Sequence, residues 1–345
     1  MIGRNILQFS NYTDKDIMCV IKSNAYGHGL IETAKTLYSN GVSFFSTYYL
    51  KEAIEVKEIL PESNVLHLGP VFTVEELILI SKYEINLMIS SMELLRKIDS
   101  CSDLLLRPID LHIKFDTGLC RNGINHSNFD DLKAEMFSIF NNSKINCLGV
   151  MSHLMMTDLD SIETKSQIKE FEYICAQFVE HQIDNSYFHL GNTSYLFHEG
   201  DKYSNLIRIG IGIYGLSCGI EYNKFGLDIK PVMTFKSKII SSKKVKKGDK
   251  ISYGGKFTAD GDLSIAVVAA GYADGLPRIS SKDAYVIVKG NKCRILGVIC
   301  MNNFVIDVSG MEKKLDIGTD VIIFSYGRNN TPTADDWSSW SDSIG

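Results

Sequence analysis

The stretch Asp16-Ile17-Met18-Cys19-Val20-Ile21-Lys22-Ser23-Asn24-Ala25-Tyr26-Gly27-His28-Gly29 decides the reading of the chain. Five consecutive apolar residues stop on a lysine. A polar, glycine-punctuated loop then leads into the amphipathic stretch Leu30–Asn40. A continuous apolar run of this length fits a parallel strand buried on both faces, and a helical period after it fits a βα unit. The unit recurs. Strands are predicted at Asp16–Lys22, Val42–Thr47, Asn64–Gly69, Ile85–Ser90, Ile109–Phe115, Ile145–His153, Tyr187–Leu190 and Leu206–Ile209, with helices such as Leu50–Leu60, Val74–Lys82 and Ser161–His181 between them. Eight such strands imply an α/β fold built as a (β/α)8 barrel rather than an open sheet.

After about Gly219 the pattern changes. Val232–Val245, Leu263–Ala270, Ala284–Val288, Lys292–Asp307 and Val321–Phe324 are rich in β-branched residues and separated by turn signals such as Lys247-Gly248-Asp249 and Asp260-Gly261-Asp262. The expectation is a barrel domain over 1–222 that binds a cofactor, followed by a mainly β domain over 223–345. Thr333 and Asp336 are spaced as a capping box for a short helix near the end.

Composition narrows the function classes. With 345 residues, 45% hydrophobic and 22% charged, the chain has the make-up of a globular two-domain protein. A formal net charge of -5 without a long basic run gives nucleic acid or an anionic membrane no electrostatic footing. No apolar stretch reaches the roughly 18 residues of a membrane helix. None of the eight cysteines forms a CxxC pair. The sequence shows no secretory signal, so reduced thiols and a cytoplasmic location are expected, and no metal.

Barrel active sites gather at the C-terminal ends of the strands, where the unusual polar residues of this chain fall. Lys22 ends the first strand. A lysine that is partly desolvated there has its pKa lowered, which makes its amine available for Schiff-base chemistry. After the seventh and eighth strands come His189-Leu190-Gly191-Asn192-Thr193-Ser194 and Arg208-Ile209-Gly210-Ile211-Gly212. Glycines that let the backbone approach an anion, next to hydroxyl donors, suit the phosphate of a cofactor. Asp116-Thr117-Gly118-Leu119-Cys120-Arg121 supplies a cation for a substrate carboxylate, and Ser152-His153 ends the sixth strand. In the second domain Tyr253 and Tyr272 stand beside glycines; a tyrosine base would need positive charge nearby, which Arg208 acting through His153 could provide.

Taken together, from about Val20 to Ser309, these motifs resemble the alanine racemase family. Val20-Ile21-Lys22-Ser23-Asn24-Ala25-Tyr26-Gly27-His28-Gly29 is similar to that family's cofactor-lysine motif. Asp116-Thr117-Gly118, Ser152-His153, Asn192-Thr193, Arg208-x-Gly210, Tyr253-Gly254, Gly271-Tyr272-Ala273-Asp274-Gly275 and Cys300-Met301 follow in the family's order. The resemblance implies pyridoxal 5'-phosphate as cofactor and a head-to-tail homodimer whose sites pair one barrel with the partner's β-domain. It implies racemisation of L-alanine to D-alanine for the cell wall. Lys22 would carry the cofactor and act as base on one face of the substrate, and Tyr253 of the partner subunit on the other. Arg208 would face the pyridine nitrogen and His153 would link it to Tyr253. Tyr26, Asn192, Thr193, Gly210 and Ile211 would hold the cofactor. Arg121 and the Met301 amide would hold the substrate carboxylate, with Lys114, a carbamylated lysine in many members, orienting Arg121. Tyr272, Asp158 and Arg278 match residues at the approach to the site.

The sequence also departs from the family pattern. Asn302 replaces an aspartate and Val298 an arginine, which removes charge from the approach. Relative to the resemblance, a strand before Met1 and a tail beyond Gly345 are missing, and with the tail a tyrosine that bears on the choice between alanine and serine. A serine or broad-specificity racemase, and an impaired truncated homologue, therefore stay open. A barrel decarboxylase would need an acid where Arg208 stands, and a cofactor carrier would lack the segment after Gly219.

Overall fold

The computed structural model describes the chain except for residues 157–160, 184–186, 198–200, 218, 280–281, 312–314, 328–329 and 343–345. It divides into two compact units, one of residues 2–213 and 219–229, the other of Met1, 214–218 and 230–345.

The first unit is the expected parallel barrel. Its strands are β1 (Asp16–Val20), β2 (Phe44–Thr47), β3 (Asn64–His67), β4 (Asn86–Ile89), β5 (Ile109–Asp116), β6 (Ile145–Met151), β7 (Tyr187–His189) and β8 (Leu206–Ile209). Parallel pairing runs from β7 through β6, β5, β4, β3, β2 and β1 to β8. The ring closes where Asn205 N donates to Phe188 O (3.1 Å) and Arg208 N to Gly191 O (3.2 Å). Register sets Met18 beside Phe44 and Leu66 beside Asn86. Met18, Phe44, Leu66, Met88, Met151 and Leu206 form one buried interior cluster, so the barrel is a packed core rather than a pore.

Between the strands lie α2 (Leu30–Tyr38), α3 (Leu50–Ile59), α4 (Val74–Lys82), α5 (Met92–Ser100), α6 (Phe129–Ile139) and α7 (Ile162–Glu180). Thr73, Ser91 and Ser161 accept hydrogen bonds from the amides of Glu76, Leu94 and Thr164, which fixes three helix starts. A helix that the sequence reading did not include, α1 (Ile2–Ser10), precedes β1. It buries Ile2, Asn5, Ile6 and Phe9, one helical face, and Asn5 Nδ2 donates to Ile213 O (3.1 Å).

The second unit is a closed antiparallel barrel. It contains β9 (Phe235–Val245), β10 (Leu263–Val268), β11 (Tyr285–Val288), β12 (Asn291–Leu296), β13 (Phe304–Asp307) and β14 (Asp320–Phe324), in the spatial order β9-β10-β13-β12-β11-β14. The apolar stretch Lys292–Asp307 is two strands, because Gly297 turns the chain at φ +73° where a Cβ would stand 2.7 Å from Ser252 Cβ. Thr333 and Asp336 do make a capping box, opening α8 (Ala334–Ser341), and Trp337 Nε1 donates to Ile323 O (3.0 Å). Among the described residues no helix is long and apolar enough to cross a membrane.

Candidate functional site

Lys22 stands just past β1, whose ladder extends to Ile21 N donating to Ser46 O (2.9 Å). The chain then makes a single left-handed helical turn. Ser23, Asn24, Ala25 and Tyr26 all have φ between 53° and 56°. Left-handed backbone costs an L-residue roughly 1–2 kcal/mol, so four in a row need outside support. Glu52 provides it: its carboxylate accepts from Asn24 N (2.8 Å) and, more weakly, from Tyr48 N and Tyr49 N. Asn24 Oδ1 in turn accepts from Leu30 N (2.8 Å), the first amide of α2. Burial, with Arg121 second, lowers the pKa of the Lys22 ammonium. A lysine so placed is a better nucleophile at neutral pH than a solvated one.

The turn brings Tyr26 to the end of β8. A Cβ on Gly210 would lie 3.0 Å from Tyr26 Oη, so glycine lets that hydroxyl sit close to the backbone where a larger residue would press it aside. Gly210 N donates to Thr193 Oγ1 (3.2 Å), and Asn192 Oδ1 accepts from Ser194 N and Tyr195 N to start the next turn. Ile211 follows Gly210 and opens a short 3₁₀ turn through Tyr214. Tyr26, Thr193 and Gly210 therefore form one hydroxyl-lined, close-packed corner. That geometry fits a phosphate.

Arg208 on β8 is buried inside the barrel. One guanidinium nitrogen donates to His189 O (2.6 Å) and His189 Nδ1 (2.8 Å); the other donates to Ser152 O (2.8 Å), Leu190 O (3.0 Å) and His153 Nδ1 (3.1 Å). Burial first, then Arg121, brings its pKa down to about 9, still a cation at neutral pH. Burial and the neighbouring cations Arg208, Arg121, Lys114 and Lys22 hold His153 down at about 3, so its ring is neutral. Arginine has only donors, so His153 Nδ1 accepts and the ring's proton sits on Nε2.

Asp116, at the end of β5, turns its carboxylate onto the amides of Gly118 (3.0 Å), Cys120 (3.0 Å) and Arg121 (2.9 Å). Burial pushes its pKa up, but these donors win and hold it below the ordinary value. The knot fixes the loop that carries Arg121. Lys114, buried on the same strand, donates to Asn122 Oδ1, and burial followed by Arg121 and Arg208 brings it to about 8. Lys22, Lys114, Arg121 and Arg208 thus act on one another as a cation cluster, a donor set suited to an anionic cofactor with a carboxylate substrate.

The remaining candidates lie in the second unit and meet there. Tyr272 N donates to Cys300 O (3.1 Å) and Ala273 N to Met301 O (2.9 Å). Ser252 Oγ donates to Val298 O (2.6 Å), which ties the Tyr253 turn to the same loop. Tyr253 is 70% exposed and Met301 55%, so both project from the surface of this unit. Arg278 and Asn302 are exposed and Val298 is buried, while Asp158 lies outside the described residues.

Comparison with known proteins gives the family. The model of the alanine racemase N-terminal domain matches residues 1–218 and that of the C-terminal domain residues 232–345. The chain belongs to the alanine racemase family. An alanine racemase of Fusobacterium nucleatum is 36% identical over 329 residues, 93% of this chain and 88% of that one. The crystal structure of an alanine racemase from Streptomyces lavendulae superposes with a TM-score of 0.89 at 26% identity, covering 99% of this chain and 90% of that one. One from Bartonella henselae, whose structure carries covalently bound pyridoxal phosphate, shares the fold with a TM-score of 0.85 at 24% identity, over 99% and 92% of the two chains. As a racemase of this family the chain is an isomerase acting on amino acids, and the family's cofactor is pyridoxal phosphate.

Three contributors to the candidate site carry no role in the sequence reading: Glu52 behind the left-handed turn, and His112 and His189 behind Arg208. The histidines had one signal, a titratable residue set among apolar ones in β5 and β7.

Proposed function

We propose that the protein interconverts L-alanine and D-alanine with pyridoxal 5'-phosphate, using Lys22 and Tyr253 of the partner subunit as bases on opposite faces of the substrate. The observation that carries this reading is Arg208: a guanidinium, not a carboxylate, is buried at the end of β8 beside the other cations and held by five hydrogen-bond acceptors. Pyridoxal phosphate, when bound, supplies the electron-withdrawing ring that acidifies the substrate's α-carbon.

Lys22 Nζ would hold the cofactor, and Tyr26, Asn192, Thr193, Gly210 and Ile211 its phosphate corner. Arg208 would face the pyridine nitrogen and, being donor-only, keep it unprotonated, which favours returning a proton to the α-carbon over transamination. Arg121 and the amide of Met301 of the partner subunit bind the substrate carboxylate, Lys114, carbamylated as in many members of the family, would accept from Arg121 and steady it, and Tyr272 of the partner subunit lines the approach. Lys22, with its lowered pKa, takes or returns the α-proton at Nζ on one face. On the other, the His153 Nε2–H donates to the phenol oxygen of Tyr253 of the partner subunit and makes that oxygen a competent base.

Within this reading the barrel domain is 1–222 and the β domain 223–345, and the assembly is a cytoplasmic head-to-tail homodimer. Charge supports the pairing: residues 1–222 carry 18 Lys and Arg against 28 Asp and Glu, and residues 223–345 carry 18 against 13. Opposite signs on the two halves favour barrel against partner β-domain. The exposed Tyr253 is a further support. The test is a D/L assay of the protein with pyridoxal phosphate on L-alanine and L-serine. D-alanine formed faster than D-serine supports the reading, D-serine formed faster moves it to the serine racemases, and no inversion of either overturns it.

A further inference from the structure

Behind Arg208 runs a second layer of buried polar residues. His189 Nε2 lies 2.8 Å from His112 Nδ1, and both rings are fully buried in the barrel. His112 is gripped on several sides: it stacks on Tyr187 (6.2 Å, 12°) and meets Phe44 edge-on (5.8 Å, 65°). It fits only because residue 149 is glycine, where a Cβ would stand 2.4 Å from His112 Nδ1.

The proton positions follow from Arg208. Its nitrogens only donate, so His189 Nδ1 accepts and a neutral His189 carries its proton on Nε2. That proton points at His112 Nδ1, which must also accept, so a neutral His112 carries its own on Nε2. Both rings are neutral: burial, then Arg208, holds His112 at about 3 and pushes His189 well below its ordinary value. His112 Nε2 ends the series, buried and without a partner among the described residues. The orphan costs roughly 1–3 kcal/mol, which packing alone gives no reason to accept.

We infer that His112 is a positioning residue that locks the tautomer of His189 and through it the orientation of the Arg208 guanidinium. Without an acceptor at the His112 Nδ1 position, His189 Nε2–H would be orphaned. The ring would then favour the other tautomer, which turns an N–H toward the N–H groups of Arg208 and drives the guanidinium off its site. The consequence for catalysis rests on the racemase reading above; the tautomer lock itself does not.

The test uses histidine-¹⁵N-labelled full-length protein without cofactor, together with the His112→Leu and His112→Asn variants. Asparagine can place its Oδ1 where Nδ1 stood and so keeps the acceptor; leucine removes it. In the wild type, His112 and His189 should both show the Nε2–H tautomer and no titration between about pH 5 and 9. In His112→Leu, His189 should populate Nδ1–H, and with pyridoxal phosphate kcat should fall roughly tenfold or more with KM within twofold. His112→Asn should restore both. A wild-type His189 in the Nδ1–H form, an unchanged His189 tautomer in His112→Leu, or an asparagine variant as impaired as the leucine one would overturn the proposal. Should the leucine variant not fold, the wild-type tautomers and the asparagine variant still decide. A protein with the expected tautomers but no racemisation would sink the functional reading and leave the lock standing.

Discussion

Glu52→Ala is the sharpest test of how this sequence holds its lysine. Ser23–Tyr26 stand in left-handed backbone, a strain of roughly 4–8 kcal/mol at 1–2 kcal/mol per residue, with Asn24 the cheapest member. A charge-assisted bond such as that from Asn24 N to the Glu52 carboxylate contributes about 1.5–3 kcal/mol. The same carboxylate caps α3 at Tyr49, for about 0.5–1 kcal/mol more. Its removal should therefore destabilise the barrel by about 2–4 kcal/mol, a fall in melting temperature of roughly 5–10 °C. Because Lys22 and Tyr26 flank the turn, about 2 kcal/mol of that loss should reappear as a roughly thirtyfold weaker affinity of the cofactor-free protein for pyridoxal phosphate. Glu52→Gln keeps a neutral acceptor and should fall about halfway. Fluorescence titration with the cofactor and a melting curve read both effects. An alanine variant that melts and binds like the wild type would refute the claim that Glu52 holds the turn.

Lys22→Ala should abolish the visible absorbance of a lysine–cofactor Schiff base; its survival would assign the cofactor to another lysine. Tyr253→Phe should lower kcat/KM equally for both enantiomers, since racemisation has an equilibrium constant of one, while a mixture of the Lys22 and Tyr253 variants regains activity if sites are shared between subunits. No regain on mixing well-folded variants would argue against shared sites. Gly210→Ala, whose methyl would press on Tyr26 Oη, should weaken cofactor binding about tenfold, as the loss of one phosphate hydrogen bond does; unchanged binding would remove Tyr26 from the corner. Acid should unfold the barrel early. His112 and His153 titrate at about 3 when folded but at about 6.5 when unfolded, so stability is full above the upper value and lost as pH falls toward the lower. Replacing His112 by Asn should flatten that slope in denaturation curves, and an unchanged slope would mean that His112 is not held neutral.

The barrel was legible because parallel strands buried on both faces read as unbroken apolar runs, and each of the eight predicted strands appears with its ends within two residues of the predicted ones. Helix α1 was missed: Ile2, Ile6 and Phe9 do recur at helical spacing, but over a single nine-residue segment whose fourth buried residue is the polar Asn5. The left-handed turn could not be seen because none of Ser23, Asn24, Ala25 and Tyr26 is glycine, and part of what supports that backbone is Glu52, a residue distant in sequence. In the candidate site, Lys22, Arg121, His153 and Arg208 were visible from their places at strand ends. His112 and His189 were not, since one histidine within a strand is indistinguishable in sequence from a satisfied core residue. That Tyr253, Tyr272 and Met301 share one surface depends on loop carbonyls at Val298, Cys300 and Met301, which carry no sequence signal.

Proton transfer by two different bases on opposite faces of one substrate is tested most directly with α-deuterated L-alanine. Incubated in ordinary water with the cofactor-loaded protein, it should give D-alanine that carries hydrogen from solvent at the α-carbon, because the base that removes deuterium is not the base that delivers the proton. D-alanine that retains the deuterium from the first turnovers would mean one base working both faces and would contradict the account.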